Sequence, residues 1–436
     1  MTAPDQLVQI EKPVYGGSFL VRVEGQAVFV PLVLPGEQAR IRIVNQKRGY
    51  ATAEVSGIVS PAPQRISPAC PHFGACGGCH YQHTDYATQL QLKQVILRET
   101  FERAGVPPPA QIDILSAQPW GYRNRIRLAF DASGNPGYRG RRSHAVVPIT
   151  ECPIAAPLLV RAAKIFAETA RRIAPTLRFS EIVLFCNAGE TALQASVFLA
   201  ASAPAKQAKT AFDQLARACA EQIPALAAME LVAEGRPGNR NPQQFTRTLA
   251  QWGAGSLVYR AAGFDYRVDH GAFFQVNRFL VDALVNRVTD GRQGNLAWDL
   301  FAGVGLFARQ LSANFRRVIA VESALSATAA LAHNLAGTSA EAVSATTFAF
   351  LGRNSKSERP DLIVLDPPRT GLGADSTSLL AAVAAPALVY VSCDPATLTR
   401  DLRALTGSGY AIESVALADL FPQTFHLETV VHLRRS

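Results

Sequence analysis

The sequence predicts an α/β protein built in three parts, and three features of the chain lead to that prediction. The first part, up to about residue 60, consists of short runs in which apolar and polar residues alternate, a pattern typical of small β-barrels. A loop dense in cysteine comes next, and from about residue 260 strand, glycine-rich turn and helix follow one another repeatedly. We therefore expect an OB-like barrel at 1–62, an α+β central domain at 63–255 and a Rossmann-like, doubly wound domain at 256–436.

Composition restricts where the protein can work. The chain has 436 residues, 48% of them hydrophobic, which is enough to bury several cores. It has no run of about 18 apolar residues, so we expect no transmembrane helix. The opening Met1–Gln6 also lacks the pattern of a secretory signal. We therefore expect a cytoplasmic protein, in which the seven cysteines do not form a disulfide framework.

Local patterns place the main elements of the first two parts. The proline-rich residues 60–64 mark a linker after the barrel, and a helix near 85–103 is terminated at Gly105. The alanine-rich residues 206–222 predict a second helix. Within the barrel, the expected strands are 18–23, 26–31, 39–44 and 50–55.

The net charge of +9 is unevenly distributed, because six arginines lie in one stretch against a single acid, Asp131. Tyr122 and Tyr138 are interleaved with these arginines. Guanidinium groups bind phosphates and aromatic rings stack on bases, so the stretch favours a nucleic-acid partner. A solvated basic face is the alternative. The arginines are Arg123, Arg125, Arg127, Arg139, Arg141 and Arg142.

A glycine-rich turn after a predicted strand indicates a cofactor site. The strand ends at Asp299–Phe301, and Gly303 and Gly305 allow the backbone to turn tightly against a ligand before a helix begins. About 20 residues on, Glu322 ends a second strand, where a carboxylate can accept hydrogen bonds from ribose hydroxyls. The spelling of this turn resembles the methyltransferase version, which binds S-adenosylmethionine. NAD is the alternative, since dinucleotide sites also tolerate alanine, here Ala308, as the last small residue.

Two further strand ends carry reactive side chains. Asp366 follows an apolar run, and Pro367 and Pro368 hold its backbone extended, so we expect its carboxylate to face the crevice above the sheet. Cys393 lies between a strand at 385–391 and a helix that begins with Asp394 as N-cap. A helix N-terminus favours a thiolate, so Cys393 is a candidate nucleophile. A core thiol is the alternative.

Glu428 is a candidate proton acceptor near the C-terminus. It lies in an apolar, strand-like context at 425–432, where desolvation raises the pKa of a carboxyl group. A thiolate nucleophile needs such a partner. An acid on an edge strand is the alternative.

The cysteine-dense loop has the composition of a metal site. Cys70, Cys76 and Cys79 lie within ten residues of one another, and Cys152, which precedes a proline, is the predicted fourth ligand. Spacing alone leaves zinc and a [4Fe–4S] cluster open, and His72, His80 and His83 could substitute in a zinc site. Cys186 and Cys219 lie in strand-like and helical runs and are expected in the core.

Together these motifs resemble the uracil-C5 RNA methyltransferases of the TrmA/RlmD group over most of the chain. The barrel resembles their TRAM domain, and the cysteine loop with its distant Cys152 resembles the cluster-binding pattern of the RlmD-type enzymes. Family motifs are matched in order at 271–277, 366–369, 391–395 and 426–428.

The resemblance implies a role for each matching residue. Cys393 is implied as the nucleophile that adds to uracil C6, and Glu428 as the base that removes the C5 proton. Phe273 or Phe274 could stack on the target base. S-adenosylmethionine contacts are implied for Gln275, Phe301, Glu322 and Asp366, beside the Gly303 and Gly305 turn, and a [4Fe–4S] cluster for Cys70, Cys76, Cys79 and Cys152.

The resemblance also implies a partner, which is RNA, and most specifically 23S ribosomal RNA, because the barrel and the cluster occur together. We expect a monomer with no membrane association. The same chemistry on tRNA, an RNA-binding or assembly factor with weakened catalysis, and a redox iron–sulfur enzyme are the alternatives. The chain departs from the family at Leu306, at Asp394, at Gln423 and in residues 344–350, which lack the usual acid.

Overall fold

In the computed structural model, described over residues 5–200, 205–233 and 247–435, the chain forms three large β-sheets and one short hairpin. The prediction that Met1–Gln6 is not a secretory signal rests partly on residues 1–4, which lie outside the described residues. Across the described ranges, we find no helix with the length and apolarity needed to span a membrane.

The first sheet contains the four predicted barrel strands, and all four are confirmed. It has six strands in the order β1-β5-β6-β4-β3-β2, so β1 and β2 are its edges. Alternate side chains, among them Phe19, Val28 and Ile41, point into one buried core, which explains the alternation in the sequence. The strands are β1 (Gln6–Gln9), β2 (Lys12–Val14), β3 (Ser18–Val23), β4 (Gln26–Pro31), β5 (Gln38–Gln46) and β6 (Tyr50–Ser60).

A long helix follows the cysteine loop, as predicted. Helix α1 (Tyr86–Arg103) begins where the Asp85 carboxylate accepts a hydrogen bond from the Thr88 amide at 2.8 Å. Gly105, with a φ of +68°, follows its end. Strand β7 (Asp113–Leu115) comes next. The apolar side of α1 packs into the core of the C-terminal sheet, so this helix belongs structurally to a region far away in sequence.

The central sheet has seven strands, in the order β10-β9-β8-β11-β12-β13-β14. Among the described strands of this sheet, only β12 and β13 pair in parallel, and α2 and α3 cover one face around a shared apolar core. The elements are β8 (Arg125–Phe130), β9 (Pro136–Arg139), β10 (Val146–Pro148), α2 (Pro157–Ile173), β11 (Phe179–Cys186), β12 (Leu193–Leu199), α3 (Ala205–Gln222), β13 (Leu226–Ala233) and β14 (Arg247–Gly253).

The C-terminal region is the predicted doubly wound sheet, preceded by a hairpin. Its elements are β15 (Ser256–Ala261), β16 (Phe264–Asp269), α4 (Val281–Thr289), β17 (Gly294–Leu300), α5 (Leu306–Leu311), β18 (Phe315–Glu322), α6 (Leu325–Leu335), β19 (Ala340–Ser344), α7 (Thr347–Asn354), β20 (Leu362–Leu365), α8 (Ala374–Val383), β21 (Ala387–Ser392), α9 (Pro395–Thr406), β22 (Tyr410–Ala418) and β23 (Glu428–Arg435).

The strand order of this sheet explains where a ligand binds. The order is β19-β18-β17-β20-β21-β23-β22-β7, with β17 to β21 parallel. The chain leaves β17 towards β18 on one side and later returns to β20 on the other. A crevice therefore opens at the carboxyl ends of β17 and β20. Strand β7 completes the sheet from outside the 256–436 span; the three domain boundaries given above remain a prediction.

Candidate active site

The sheet places Cys393 and Glu428 side by side. Strands β21 and β23 are antiparallel neighbours in which Ser392 pairs with Thr429, so the next residues of the two strands, Cys393 and Glu428, oppose each other. Glu428 is buried, and Cys393 is half-buried in the turn before α9. Two residues 35 positions apart in sequence are therefore brought together by strand register alone.

The electrostatics of Cys393 differ from the sequence expectation. The pKa of the thiol is raised to about 12, chiefly by burial and then by the Glu428 and Asp366 carboxyls, whereas Arg369 opposes them. The first amides of α9 do not supply the expected stabilisation of a thiolate. The Asp394 carboxylate accepts from two of them, at 2.9 Å from Thr397 and 3.1 Å from Ala396.

For Glu428 the expectation of a raised pKa is confirmed. Burial is the largest cause and the neighbouring Asp366 carboxyl adds to it, while Arg369 again acts in the opposite direction. Arg369 was part of a quoted motif but received no role from the sequence. The structure identifies it as a cation that favours the ionised forms of both Cys393 and Glu428.

The barrel contributes a residue that sequence analysis missed. The Tyr15 hydroxyl donates to the backbone carbonyl of Cys393 at 3.3 Å, across 378 positions of sequence. The Tyr15 ring meets Phe425 edge-on, with 5.5 Å between ring centroids. Since Phe425 lies three residues before Glu428, the barrel contacts the backbone of Cys393 and a side chain in the segment that leads into Glu428. No local motif around Tyr15 signals this contact.

The predicted cofactor turn has a strained backbone that closes on Glu322. Phe301 has a φ of +67°, which is rare outside glycine and is found at functional turns. The Gly303 amide donates to Glu322 at 2.9 Å, and the second carboxylate oxygen accepts from the Ser323 and Ala324 amides at 2.6 Å. The turn after β17 and the end of β18 are thus joined through one carboxylate.

Glycine is required at the last position of this turn. Gly305 has a φ of +91°, and a Cβ there would approach Leu331 to 2.9 Å. The backbone therefore lies tightly against α6, and the predicted role of the glycines in a close turn is consistent with the geometry.

Acidic groups crowd the crevice beside this turn. Burial raises the pKa of Asp366 to about 7. The pKa of Asp299 is also raised to about 7, mainly by burial and in part by the Asp366 and Glu322 carboxyls. Gln275 donates to the Asp366 carboxylate at 3.4 Å. Asp299 was named only as a strand end in the sequence, although its place directly before the turn is the signal. A cluster of acids with raised pKa favours binding of a cationic ligand.

The aromatic pair in the 271–277 motif is divided between solvent and core. Phe273 is 58% exposed, whereas Phe274 is buried and its ring lies 4.4 Å from that of Tyr259. Of the two candidates for base stacking, only Phe273 faces solvent.

The predicted RNA-binding arginines are in three different environments. Arg125 donates to the Ala272 carbonyl at 2.8 Å and lies over the Phe185 ring, so its guanidinium supports the loop that carries Phe273. Arg127 is exposed and paired with Glu181. Arg123 lines the cysteine pocket described next. The geometry favours a structural role for Arg125.

The four predicted metal-ligand cysteines line one pocket. Cys70, Cys76, Cys79 and Cys152 share it with Tyr138, whose hydroxyl lies 3.8 Å from the Cys152 sulfur. Burial raises the pKa of each thiol. Within the described residues, no three potential ligands are close enough to hold a single metal ion. The structure thus brings the four cysteines to one pocket, which they share with polar and charged side chains, among them His72, Arg123 and Glu151.

Of the loop histidines, His72 lines this pocket, whereas His80 and His83 do not, and neither do the remaining cysteines. Cys186 and Cys219 are buried in the central core, as predicted. His83 is hydrogen-bonded to the Val33 carbonyl of the barrel at 3.1 Å.

The cysteine loop is also connected directly to the segment that precedes Glu428. The amides of His80 and Tyr81 both donate to the Gln423 carbonyl, at 2.8 and 3.0 Å. Gln423 and Gln89 of α1 exchange two hydrogen bonds, each of 2.9 Å. The departure from the family at Gln423 is thus accommodated by a partner on α1.

A fully buried ion pair reinforces this connection. The Lys93 ammonium of α1 lies 2.6 Å from the Asp419 carboxylate, and neither side chain is exposed. The Lys93 ammonium also donates to the Phe421 carbonyl at 3.0 Å. Helix α1 therefore fixes the strand-to-strand segment 419–427 that leads into Glu428.

The crevice lies at the switch point of a parallel sheet, beside a thiol and a buried carboxyl. This arrangement is that of a Rossmann-like group-transfer enzyme, which in this chain is linked to a small β-barrel. Residues 255–436 match the family model described as tRNA (Uracil-5-)-methyltransferase, and residues 5–56 match the TRAM domain. The chain belongs to this family of RNA (uracil-5-)-methyltransferases. The resemblance inferred from the sequence, including the TRAM assignment of the barrel, is confirmed.

Relatives cover nearly the whole chain. An "Uncharacterized RNA methyltransferase" of Streptomyces avermitilis is 32% identical over 98% of this chain and 97% of its own length. The "23S rRNA (uracil(1939)-C(5))-methyltransferase RlmD" of Halomonas elongata is 29% identical over 94% and 85%. The fold matches the crystal structure of Pyrococcus abyssi tRNA (uracil-54, C5)-methyltransferase in complex with S-adenosyl-L-homocysteine, with a TM-score of 0.77, 22% identity, and coverage of 98% and 100%.

Proposed function

We propose that the protein transfers the methyl group of S-adenosylmethionine to C5 of a uridine in 23S ribosomal RNA. The observation that carries the proposal is the opposed pair of Cys393 and Glu428 at the edge of an acidic crevice. Family membership supports the uracil-C5 chemistry. The 23S target is supported by the name of the Halomonas elongata relative, which matches over 94% of this chain.

The nucleophile is needed because uracil C5 does not attack a methyl donor unaided. The Cys393 thiol gives its proton to solvent, and the thiolate then adds to C6, which places carbanion character on C5. The raised pKa of the thiol makes this ionisation costly. The neighbouring Arg369 cation lowers that cost because it favours the thiolate. The C5 carbon then attacks the sulfonium methyl group, and S-adenosylhomocysteine leaves.

The buried carboxyl completes the reaction. Once methylated, C5 still carries its original proton, and the thiolate can leave C6 only when that proton is removed. We assign this step to Glu428, and its position opposite Cys393 supports the assignment. The products are 5-methyluridine and the free thiol-bearing enzyme, with one proton released overall.

The acidic residues of the crevice suit the charge of the methyl donor. The sulfonium and ammonium groups of S-adenosylmethionine are cations, and Asp299 and Asp366 are acids whose raised pKa values a nearby cation would lower. We assign Gln275, Phe301, Gly303 and Gly305 to the walls of this site and Glu322 to the ribose hydroxyls. Glu322 would exchange its present amide partners for the ligand.

We further propose that Cys70, Cys76, Cys79 and Cys152 hold a [4Fe–4S] cluster. The support is that all four thiols line one pocket although the residues are widely spaced in the chain. Bound there, the cluster would cross-link residue 70 to residue 152, a structural role that leaves the reaction to Cys393 and Glu428.

One experiment tests the enzyme proposal. The wild-type chain, incubated with S-adenosylmethionine and 23S RNA containing 5-fluorouridine, should form a covalent adduct, because fluorine at C5 blocks the final elimination. Cys393→Ala should form none, whereas Cys219→Ala, a buried thiol of α3, should react like wild type. RNA binding without adduct or methyl transfer would instead favour the RNA-binding or assembly factor. Adduct formation on tRNA but not on 23S RNA would reassign the substrate.

A further inference from the structure

The loop that carries Gln275 is held by the central sheet. Its residues 276–278 run antiparallel to residues 122–124, which lead directly into β8. The Asn124 amide donates to the Val276 carbonyl at 3.0 Å, and the Arg278 amide donates to the Tyr122 carbonyl at 3.0 Å. The central sheet therefore binds this loop in the way that one strand binds its neighbour.

The side chain of Asn124 adds a contact to Gln275 itself. Its amide nitrogen donates to the Gln275 carbonyl at 2.9 Å and to the Tyr259 hydroxyl at 3.2 Å. Asn124 is fully buried, so water cannot replace these hydrogen bonds. A carbonyl oxygen only accepts, so the NH₂ group of the Asn124 amide must face Gln275. The contact thus requires a side chain with a donor at this position.

The backbone of Asn124 is fixed from the opposite direction. Its carbonyl accepts from the amide of Cys186, the last residue of β11, at 2.9 Å. The neighbouring Arg123 is bound to the segment after Cys152, since its amide donates to the Ile154 carbonyl and its carbonyl accepts from the Ala156 amide, each at 2.9 Å. The Asn124 side chain therefore extends from a rigid part of the central domain.

Gln275 connects this support to the crevice. Its side-chain amide donates to the Asp366 carboxylate, and at 3.4 Å this contact is near the upper limit of a hydrogen bond, so a small backbone shift would break it. Gln275 is buried, so few side-chain conformations are open to it. The position of its backbone consequently decides where its amide lies.

Other side chains of the central domain act on the opposite end of the same loop. Arg125 donates to the Ala272 carbonyl at 2.8 Å, and the Ser196 hydroxyl lies 3.0 Å from Nδ1 of His270. Both contacts precede Phe273 in the chain. The contact made by Asn124 is therefore specific to the Gln275 end.

We propose that Asn124 is a positioning residue for Gln275, which it holds where the Gln275 amide reaches the crevice beside Asp366. The inference rests on the proposed function for the ligand of that crevice, S-adenosylmethionine, and it adds the residue that places one wall of the site. Asn124 is bonded to the backbone of the loop, so its effect on the methyl donor passes through Gln275.

A double-mutant cycle tests this role. Asn124→Ala and Gln275→Ala should each weaken S-adenosylmethionine binding about tenfold, measured by calorimetry without RNA. The double variant should bind no more weakly than Gln275→Ala, because Asn124 acts only through Gln275. Independent effects, which would multiply to about a hundredfold loss, would overturn the proposal.

Leu128→Ala is the matched control for stability. Leu128 is fully buried further along β8 and packs in the central core. Its truncation should lower Tm at least as much as Asn124→Ala does, yet leave S-adenosylmethionine affinity unchanged where both variants are folded. Equal weakening of binding in Leu128→Ala would show a general effect of stability and overturn the proposal.

A second variant at the same position guards against misfolding. Asn124→Leu keeps a side chain of similar shape but has no donor, so it should bind S-adenosylmethionine as weakly as Asn124→Ala. Wild-type affinity in Asn124→Leu would overturn the proposal, because the hydrogen bond to Gln275 would then be dispensable.

The same measurements separate this inference from the proposed function. A wild-type protein that binds no S-adenosylmethionine would contradict both. Normal binding in the wild type and also in Gln275→Ala would remove Gln275 from the site and overturn the role of Asn124, while methyl transfer would still stand.

Discussion

Two groups of thiols in this chain, Cys393 and the four pocket cysteines, differ mainly in the groups that surround them. Cys393 and the four pocket cysteines all have a raised thiol pKa because they are removed from water. Around Cys393 the other charged groups are two carboxyls and Arg369. Around Cys79 they are further thiols. Desolvation therefore does not separate a nucleophile from a ligand, whereas the identity of the adjacent groups does.

The two groups also differ in what holds them. Cys393 is fixed between a central strand and a helix, so its position follows from the sheet. Residues 70–79 contain turns and bridges but no strand or helix, and Cys152 lies in a similar stretch. A site on a rigid sheet can be ordered without a ligand, while the cysteine loop gains most from a group that cross-links it.

The largest effect should come from removing the proton acceptor. Glu428→Gln should lower turnover about 10³-fold, because the methylated intermediate retains its C5 proton and stays bonded to Cys393. A covalent complex with ordinary uridine RNA should then accumulate, detectable on a denaturing gel. The double variant Cys393→Ala/Glu428→Gln should show none. Normal turnover in Glu428→Gln would move the base elsewhere.

The next largest effect is expected in the pH dependence of Cys393 reactivity. A thiol with a pKa near 12 is largely protonated at neutral pH, so its thiolate fraction rises about tenfold per pH unit from pH 7 to 10. The rate of alkylation by iodoacetamide, taken as the difference between wild type and Cys393→Ala, should follow that slope. A rate that levels off near pH 7 would show that the thiolate is already stabilised in the free enzyme.

The loop should respond as a structural unit. Cys76→Ala should lose bound iron and the visible absorbance of the anaerobically purified protein, and its Tm should fall by more than about 5 °C. Cys219→Ala, also a buried thiol, should keep both iron and absorbance. A colourless wild-type protein that contains one zinc would refute the cluster assignment.

The smallest effect is expected where the barrel meets the nucleophile. Tyr15→Phe keeps the ring against Phe425 but removes the hydrogen bond to the Cys393 carbonyl, so adduct formation at saturating RNA should slow about fivefold. RNA affinity should not change. An unchanged rate together with weaker RNA binding would make Tyr15 a contact for RNA and not a positioning residue.

The sequence predicted the parts of the site that depend on local order along the chain. Asp299 and Glu322 lie at the ends of parallel strands, and Asp366 and Cys393 directly follow such strands, whose carboxyl ends meet at one edge of the sheet. The glycine turn and the N-cap at Asp394 are also short-range features. Each could be found with a window of about ten residues.

What the sequence did not predict depends on contacts between distant segments. Tyr15 reaches Cys393 from the barrel, and Arg125 is withdrawn from the surface by the Ala272 carbonyl. The pKa of Cys393 was predicted in the wrong direction because the local helix was visible in the sequence, whereas the acids facing the thiol come from other strands. Long-range pairing sets these properties, and no local pattern encodes it.

The pairing of β7 with β22 has a consequence for how the chain is made. Residues 113–115 leave the ribosome first, and their partners at 416–418 follow about 300 residues later, on the order of half a minute at typical rates of synthesis. Lys93 of α1 likewise waits for Asp419 before its charge is neutralised. The early segment must therefore remain available, unpaired, until synthesis is almost complete. Folding of the catalytic sheet should accordingly be completed only after release, with α1 and β7 docking last.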